Sequence, residues 1–200
     1  MKIVKILLIV LGVIIAIPLI LAIFIKKDYS VEREIIISKP KAEVFNYIKL
    51  LKNQENFSKW AKMDPYMTRE YRGVDGEVGF ISAWQSKNPD VGKGEQEIIK
   101  IEDGSRVDYE LRFIEPFTAK DKAYMITEMV DENSTKVKWG FNGHMNYPGN
   151  LMLLFMDFEK MIGGDFDEGL NNLKSILESR TETPATEDES KSESQEGIKK

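Results

Sequence analysis

The sequence contains no cysteine and one histidine, His144. The first absence removes disulfide scaffolds, thiol nucleophiles, cysteine-type zinc sites and any lipid anchor built on an acylated cysteine. One histidine cannot build a histidine-rich metal centre, so neither metal nor cofactor is expected. The G-x-S-x-G nucleophile elbow is missing. So is the phosphate loop G-x-x-x-x-G-K-[ST], and Val91-Gly92-Lys93-Gly94 reads as a turn between strands. No internal repeat of about 20 to 50 residues is visible.

An excess of positive charge is also missing. The 200 residues carry 28 basic and 33 acidic side chains, a net charge of −5. Four lysines lie in the first 27 residues, and in 181–200 six acids outweigh three lysines, which leaves −6 for residues 28–180. An acidic domain without a basic stripe is a poor nucleic-acid binder, because phosphate neutralisation supplies most non-specific affinity.

What is present falls into three unequal segments. Ile6 to Ile25 is an uncharged apolar run of 20 residues, enough at about 1.5 Å per residue to cross about 30 Å of hydrocarbon. It ends at Leu21-Ala22-Ile23-Phe24-Ile25-Lys26-Lys27 without a small-x-small cleavage site, so residues 1–27 read as an uncleaved transmembrane anchor rather than a removed signal. Residues 181–200 lack aromatics and read as a disordered acidic tail. Residues 28–180 are long enough for one domain.

Inside that domain, Tyr29 to Ile37 is β-branched and extended, and Pro40 suits the first turn of a helix. Val44, Phe45, Ile48 and Leu51 recur at helical spacing, and a shorter helix is expected near Glu55 to Ala61. Six strand-like segments follow, at about Thr68–Gly73, Val78–Trp84, Gly94–Glu102, Arg106–Ile114, Ala119–Met129 and Thr135–His144. Their connections are too short for crossover helices, so neighbours must be antiparallel. Helical periodicity then returns from Phe155 through Leu177, with Gly163-Gly164 in its middle, read as a kink in preference to a close backbone approach.

A strand, two short helices, six antiparallel strands and a long C-terminal helix resembles the START-like helix-grip fold of the SRPBCC superfamily, in its polyketide cyclase and dehydrase-like branch. The residues carrying this resemblance are Ile37-Ser38-Lys39-Pro40-Lys41-Ala42-Glu43-Val44-Phe45, Val91 to Ile98, Thr135 to Gly140 and Asp165 to Lys174. The resemblance implies an α+β fold, a seven-stranded antiparallel sheet wrapped around the C-terminal helix. It also implies an apolar cavity between them for lipids or other hydrophobic molecules. The transmembrane helix is separate from that fold. Aromatic and apolar residues expected at the cavity are Trp84, Tyr109, Phe113, Trp139, Phe141, Phe155, Phe158 and Ile162. Whether these rings fill the space or line a void is a question of volume.

Candidate catalytic groups are few. Glu95 and Glu97 share strand parity with Ile99 and Ile101, and face the cavity if those isoleucines do. The opposite register, with Gln96 and Ile98 inward, puts both carboxylates in water and is preferred because charges are seldom buried. His144 ends the last strand and reads as a rim or surface residue. Arg112 falls opposite Tyr109, Leu111 and Phe113 and reads as surface charge. The leading expectation is a single-pass membrane protein whose domain binds a hydrophobic small molecule or lipid. A cyclase or dehydratase using Glu95, Glu97 or His144 and a non-liganded interaction module are the alternatives. Arg33, Lys39 and Lys41 favour a cytoplasmic domain by the positive-inside rule. The Met-Lys-Ile-Val-Lys start before the apolar run resembles a signal-anchor and is preferred, placing the domain outside the cytoplasm.

Overall fold

The computed structural model describes residues 2–179. The acidic segment at 181–200 lies outside the described residues. Lys2–Phe24 forms α1, a 23-residue helix long and apolar enough to cross a membrane, with Pro18 inside it. After α1 the chain extends into β1 (Asp28–Ile37), where β-branched and alternating side chains favour a pleated, one-sided surface.

Pro40 precedes α2 (Lys41–Lys49), whose Val44, Phe45, Tyr47 and Ile48 are buried. A 3₁₀ turn at Leu51–Asn53 follows, then two short helices, α3 (Gln54–Phe57) and α4 (Lys59–Met63). The single second helix expected near 55–61 is thus broken at Ser58, which is extended at ψ 131°. The break leaves the Phe57 carbonyl free to accept from Asn172 Nδ2 at 3.1 Å, tying the helical segment to the C-terminal helix.

Six further strands complete the sheet: β2 (Thr68–Arg72), β3 (Ile81–Gln85), β4 (Lys93–Glu102), β5 (Arg106–Glu115), β6 (Ala119–Asp131) and β7 (Ser134–His144). The sheet has seven strands in the order β1-β7-β6-β5-β4-β3-β2, every neighbouring pair antiparallel. β3 starts at Ile81 rather than Val78, since Gly73, Gly76 and Gly79 all take positive φ in the preceding loop. A 3₁₀ segment at Gly149–Leu154 leads to the long helix α5 (Phe158–Ser179).

α5 lies along the inner face of the sheet and follows β1 from end to end. Arg33 Nη1 donates to Glu159 at 2.7 Å and Arg33 Nε to Asp167 at 3.1 Å. Farther along, Lys174 Nζ donates to the Ile36 carbonyl and the Ser38 amide to Glu178 Oε1, each at 2.7 Å. Gly163 lies between the two carboxylates that hold Arg33, and a Cβ there would strike the guanidinium, whereas Gly164 faces open space. Gly163 therefore serves a close approach by β1, and α5 runs unbroken through both glycines.

At the end where β1 finishes, the interior is sealed. Val44, Phe45 and Ile48 of α2 and Leu170, Leu173 and Leu177 of α5 meet Ile37, Ile98, Val107, Tyr109, Met125 and Val137 of the sheet, all buried. Each such side chain contributes about 1.5–3 kcal/mol by leaving water.

Candidate functional site

The opposite end of the inner face, where β1 begins, is less tightly covered. Strand parity sets its lining. Tyr29, Val31 and Arg33 of β1, Gly94 and Gln96 of β4, Leu111 and Phe113 of β5, Asp121 and Ala123 of β6, and Phe141 and Gly143 of β7 point inward by register. Trp60, Leu111, Phe113, Ile162 and Tyr29 are only partly buried while packing on the core. Trp84 is half-buried beside them, its ring 6.2 Å from Phe113 and its indole N–H bonded to the Val91 carbonyl at 3.2 Å. These partly buried apolar groups, on the inner face of the sheet, on α4 and at the start of α5, mark the less tightly covered end, hereafter the mouth.

Behind the mouth the space is filled rather than hollow. Trp139 is 4% exposed and stacks on Phe166 with ring centroids 4.6 Å apart. Phe57 and Trp60 meet it edge-on at 5.5 and 6.3 Å. Gly169 brings the α5 backbone so close that a Cβ there would sit 2.7 Å from the indole. Of the other expected cavity residues, Tyr109 and Phe141 are buried in the same core, and Phe158 packs on Tyr29 at 5.2 Å. Phe155 lies outside it altogether: it precedes α5, follows the 3₁₀ segment and is 83% exposed. A surface depression of about 550 Å³ lies at the sheet end where β1 begins, lined by outward-pointing Asp28, Lys122 and His144 and by inward-pointing Tyr29, Asp121 and Gly143.

The carboxylate that does point inward is Asp121. It is 7% exposed and shares a face with Ala123 and Met125. Burial raises its pKa, against the hydrogen bond that its Oδ1 accepts from the His144 amide at 2.9 Å. Tyr29 spreads its ring over Gly143, the residue before His144, whose amide binds Asp121. Burial, aided by the Asp121 charge, pushes the Tyr29 hydroxyl up to about 12. Asp121 and Tyr29 are thus polar groups at the same end of the inner face, close enough for the Asp121 charge to act on the phenol. The alternation Lys120-Asp121-Lys122-Ala123 carries the signal for Asp121: two lysines outward put the aspartate between them inward.

Glu95 and Glu97 are elsewhere. The expected parity with Ile101 fails because the β4–β5 register shifts between Ile98 and Lys100, a bulge that changes which residues face inward. Ile101 packs on the core, but so do Ile98 and the Gln96 side of the strand, while both glutamates face the convex surface. There Arg112 binds Glu95 at 2.6 Å, Glu97 at 2.7 Å and Glu110 at 2.8 Å. Arg72 also reaches Glu95, and Lys120 reaches Glu110 at 2.8 Å. His144 likewise faces outward, its Nδ1 2.6 Å from Asp28 Oδ1. The side chains of Glu95, Glu97 and His144, for which the sequence favours an outward or surface placement, all point away from the interior.

This convex network has a measurable pH signature. Partial burial would raise Glu95, but hydrogen bonds from Arg112 and Arg72 outweigh it and hold the carboxyl below its ordinary range. Lys120 and Arg112 hold Glu110 low in the same way. A depressed folded-state pKa contributes stability that is present above the ordinary carboxylate value and is lost as pH falls through the folded value. Arg112→Met is therefore expected to cost about 1 kcal/mol at pH 7, the upper end for part-exposed ion pairs. It is also expected to flatten the loss of stability of the native protein below about pH 4.5. Urea melts of both proteins from pH 7 to 3 test this, and parallel pH profiles would refute it.

Residues 28–178 match the family described as polyketide cyclase / dehydrase and lipid transport. No curated protein sequence matches the chain. Among solved structures, truncated norcoclaurine synthase from Thalictrum flavum is similar with TM-score 0.60 at 10% identity, covering 77% of this chain and 96% of that one. The crystal structure of Ara h 8.0201 is similar with TM-score 0.51 at 17% identity, covering 76% and 99%. The Aha1 protein from Colwellia psychrerythraea gives TM-score 0.50 at 15% identity over 76% and 97%. At these identities the structural likeness speaks for the fold. With the helix-grip architecture and the match across 28–178 in agreement, the chain belongs to the polyketide cyclase / dehydrase and lipid transport family.

Proposed function

We propose that residues 28–180 form a ligand-binding domain tethered to a membrane by residues 1–27, and that the domain takes a hydrophobic small molecule or lipid into the mouth between sheet and α5. One observation carries this reading: Trp60, Trp84, Leu111 and Phe113 remain half-exposed at one end of an inner face whose other end is sealed. Soluble domains normally close such surface, and an apolar concavity with a few convergent polar groups is the usual form of a ligand site. Asp121 and Tyr29 supply those polar groups, so a ligand with an apolar body and a hydrogen-bonding end fits the mouth. α1 supports the ligand class, because molecules dissolved in a bilayer are concentrated beside the domain.

The test is native mass spectrometry of the full chain released from detergent, with identification of any co-purifying small molecule. Adducts are expected on the native protein, and Leu111→Trp, which fills the half-exposed mouth, is expected to reduce them several-fold. Ligand-free spectra from both proteins would overturn the reading. The signal-anchor character of the N-terminal run supports an extracytoplasmic domain, against the count of Arg33, Lys39 and Lys41. Protease added to intact cells is expected to digest it, and protection until the membrane is broken would reverse that side.

A further inference from the structure

The chain between His144 and Asp157 has no charged residue, and its sequence Met-Asn-Tyr-Pro-Gly-Asn-Leu-Met-Leu-Leu-Phe-Met is strongly apolar. Instead of closing over the core, this segment forms the exposed 3₁₀ element at Gly149–Leu154. Tyr147, Met152, Leu154 and Phe155 are all exposed. Single exposed apolar residues need no explanation, but a contiguous group marks an interaction surface.

What lies beside that surface is the end of α1. Asn150 is fully buried, and its Nδ2 donates to the carbonyls of Ala22 at 2.7 Å and Ile25 at 3.1 Å. The Met145 amide donates to the Lys27 carbonyl at 2.8 Å. These bonds satisfy carbonyls that the end of a helix leaves without internal partners. They also fix a depth. Ala22 belongs to the apolar run itself, and three residues at about 1.5 Å each place it about 4–5 Å inside the level of Ile25. A segment bonded to Ala22 is held at the boundary between hydrocarbon and headgroups whenever α1 spans a bilayer. Phe117, 74% exposed in the β5–β6 connection, is at the same end of the sheet, as the pairing of Phe113 with Ala119 requires.

We propose that Tyr147–Phe155, with Phe117, is an interfacial element that dips into the bilayer holding α1 and turns the mouth of the domain toward that bilayer. This rests on the reading of α1 as a membrane span. The occupant of the patch is the bilayer, because Asn150 ties the patch to Ala22 and Ile25 at the end of the apolar helix, and the exposed Lys26 and Lys27 that follow have ammonium groups that suit the headgroup layer. The 3₁₀ geometry suits the boundary, since lipid headgroups and water can satisfy backbone groups there that the hydrocarbon core cannot. The consequence is functional: an apolar molecule can pass from the outer part of a leaflet to Trp60, Trp84 and Phe113 without crossing bulk water.

The absence of native cysteine permits a direct test on the full chain in phosphatidylcholine vesicles. Single substitutions Ile14→Cys, Phe155→Cys, Phe117→Cys and Glu132→Cys would carry an environment-sensitive fluorophore, with spin-labelled lipids as depth-resolved quenchers. Quenching several-fold stronger at Phe155→Cys and Phe117→Cys than at Glu132→Cys, and shallower than at Ile14→Cys, is expected. Adding Met152→Asp, at an exposed position, is expected to weaken quenching at Phe155→Cys and leave Ile14→Cys unchanged. Deep quenching at Ile14→Cys with none at Phe155→Cys overturns the interfacial element while the span stands. Absence of quenching at Ile14→Cys overturns the span and this inference with it. A Phe155→Cys label shielded from lipid only as protein density rises assigns the patch to a second copy and also overturns the proposal.

Discussion

Trp139→Ala is expected to destabilise the protein by about 3–5 kcal/mol, the range for removing a large aromatic from a filled core. Its ring is a shared surface, stacked on Phe166 and met edge-on by Phe57 and Trp60. One substitution therefore loosens α5, α3 and α4 from β7 together. The surrounding elements are held by separate bonds, such as Asn172 to the Phe57 carbonyl and Lys59 to Asp165 at 2.6 Å, so they cannot simply collapse into the gap. Urea melts of the full chain in detergent measure the loss. A change under about 1 kcal/mol would mean that the space relaxes freely, contrary to the cavity cost expected of a rigid site. The same variant separates two ideas about the family's interior. The sequence leaves open whether the rings around Trp139 fill the interior or line a void, and the structure has a packed aromatic cluster there.

The fold was legible because its main signals are local. Alternation at Val107, Tyr109, Leu111 and Phe113 and at Val137, Trp139 and Phe141 identifies β5 and β7 and their inner faces, and the helical spacing from Ile162 to Leu177 identifies the gripping face of α5. The site was less legible. Parity arguments carry across a strand only while the register is unbroken, and the shift between Ile98 and Lys100 defeats the link from Ile101 back to Glu95 and Glu97. The apolar stretch through Phe155 has nearly helical spacing, so nothing in its pattern separates a core-facing turn from an exposed 3₁₀ element bonded to a distant helix end. Asp121 and the Arg33 clamp were readable in principle. Glu159, Gly163 and Asp167 stand four apart on one stripe of α5, two carboxylates with a gap between them that fits a long cation.

The second large effect concerns how α5 is seated. Gly164 and Gly169 are both in the middle of one helix, and helix propensity alone predicts that alanine at either would help by about 1 kcal/mol. Their surroundings differ. A Cβ at Gly164 meets nothing within 4 Å, so Gly164→Ala is expected to stabilise the protein by about 0.5–1 kcal/mol. A Cβ at Gly169 lies 2.7 Å from the Trp139 indole, which is pinned between Phe166 and Phe57 and cannot swing away. Gly169→Leu is therefore expected to cost about 3 kcal/mol, at the high end for overpacking, because the favourable propensity is outweighed by forcing the helix off the sheet. That lift would also separate Glu159 and Asp167 from Arg33. Equal melting shifts of the same sign for Gly164→Ala and Gly169→Leu would show that propensity, not the contact with Trp139, governs this helix.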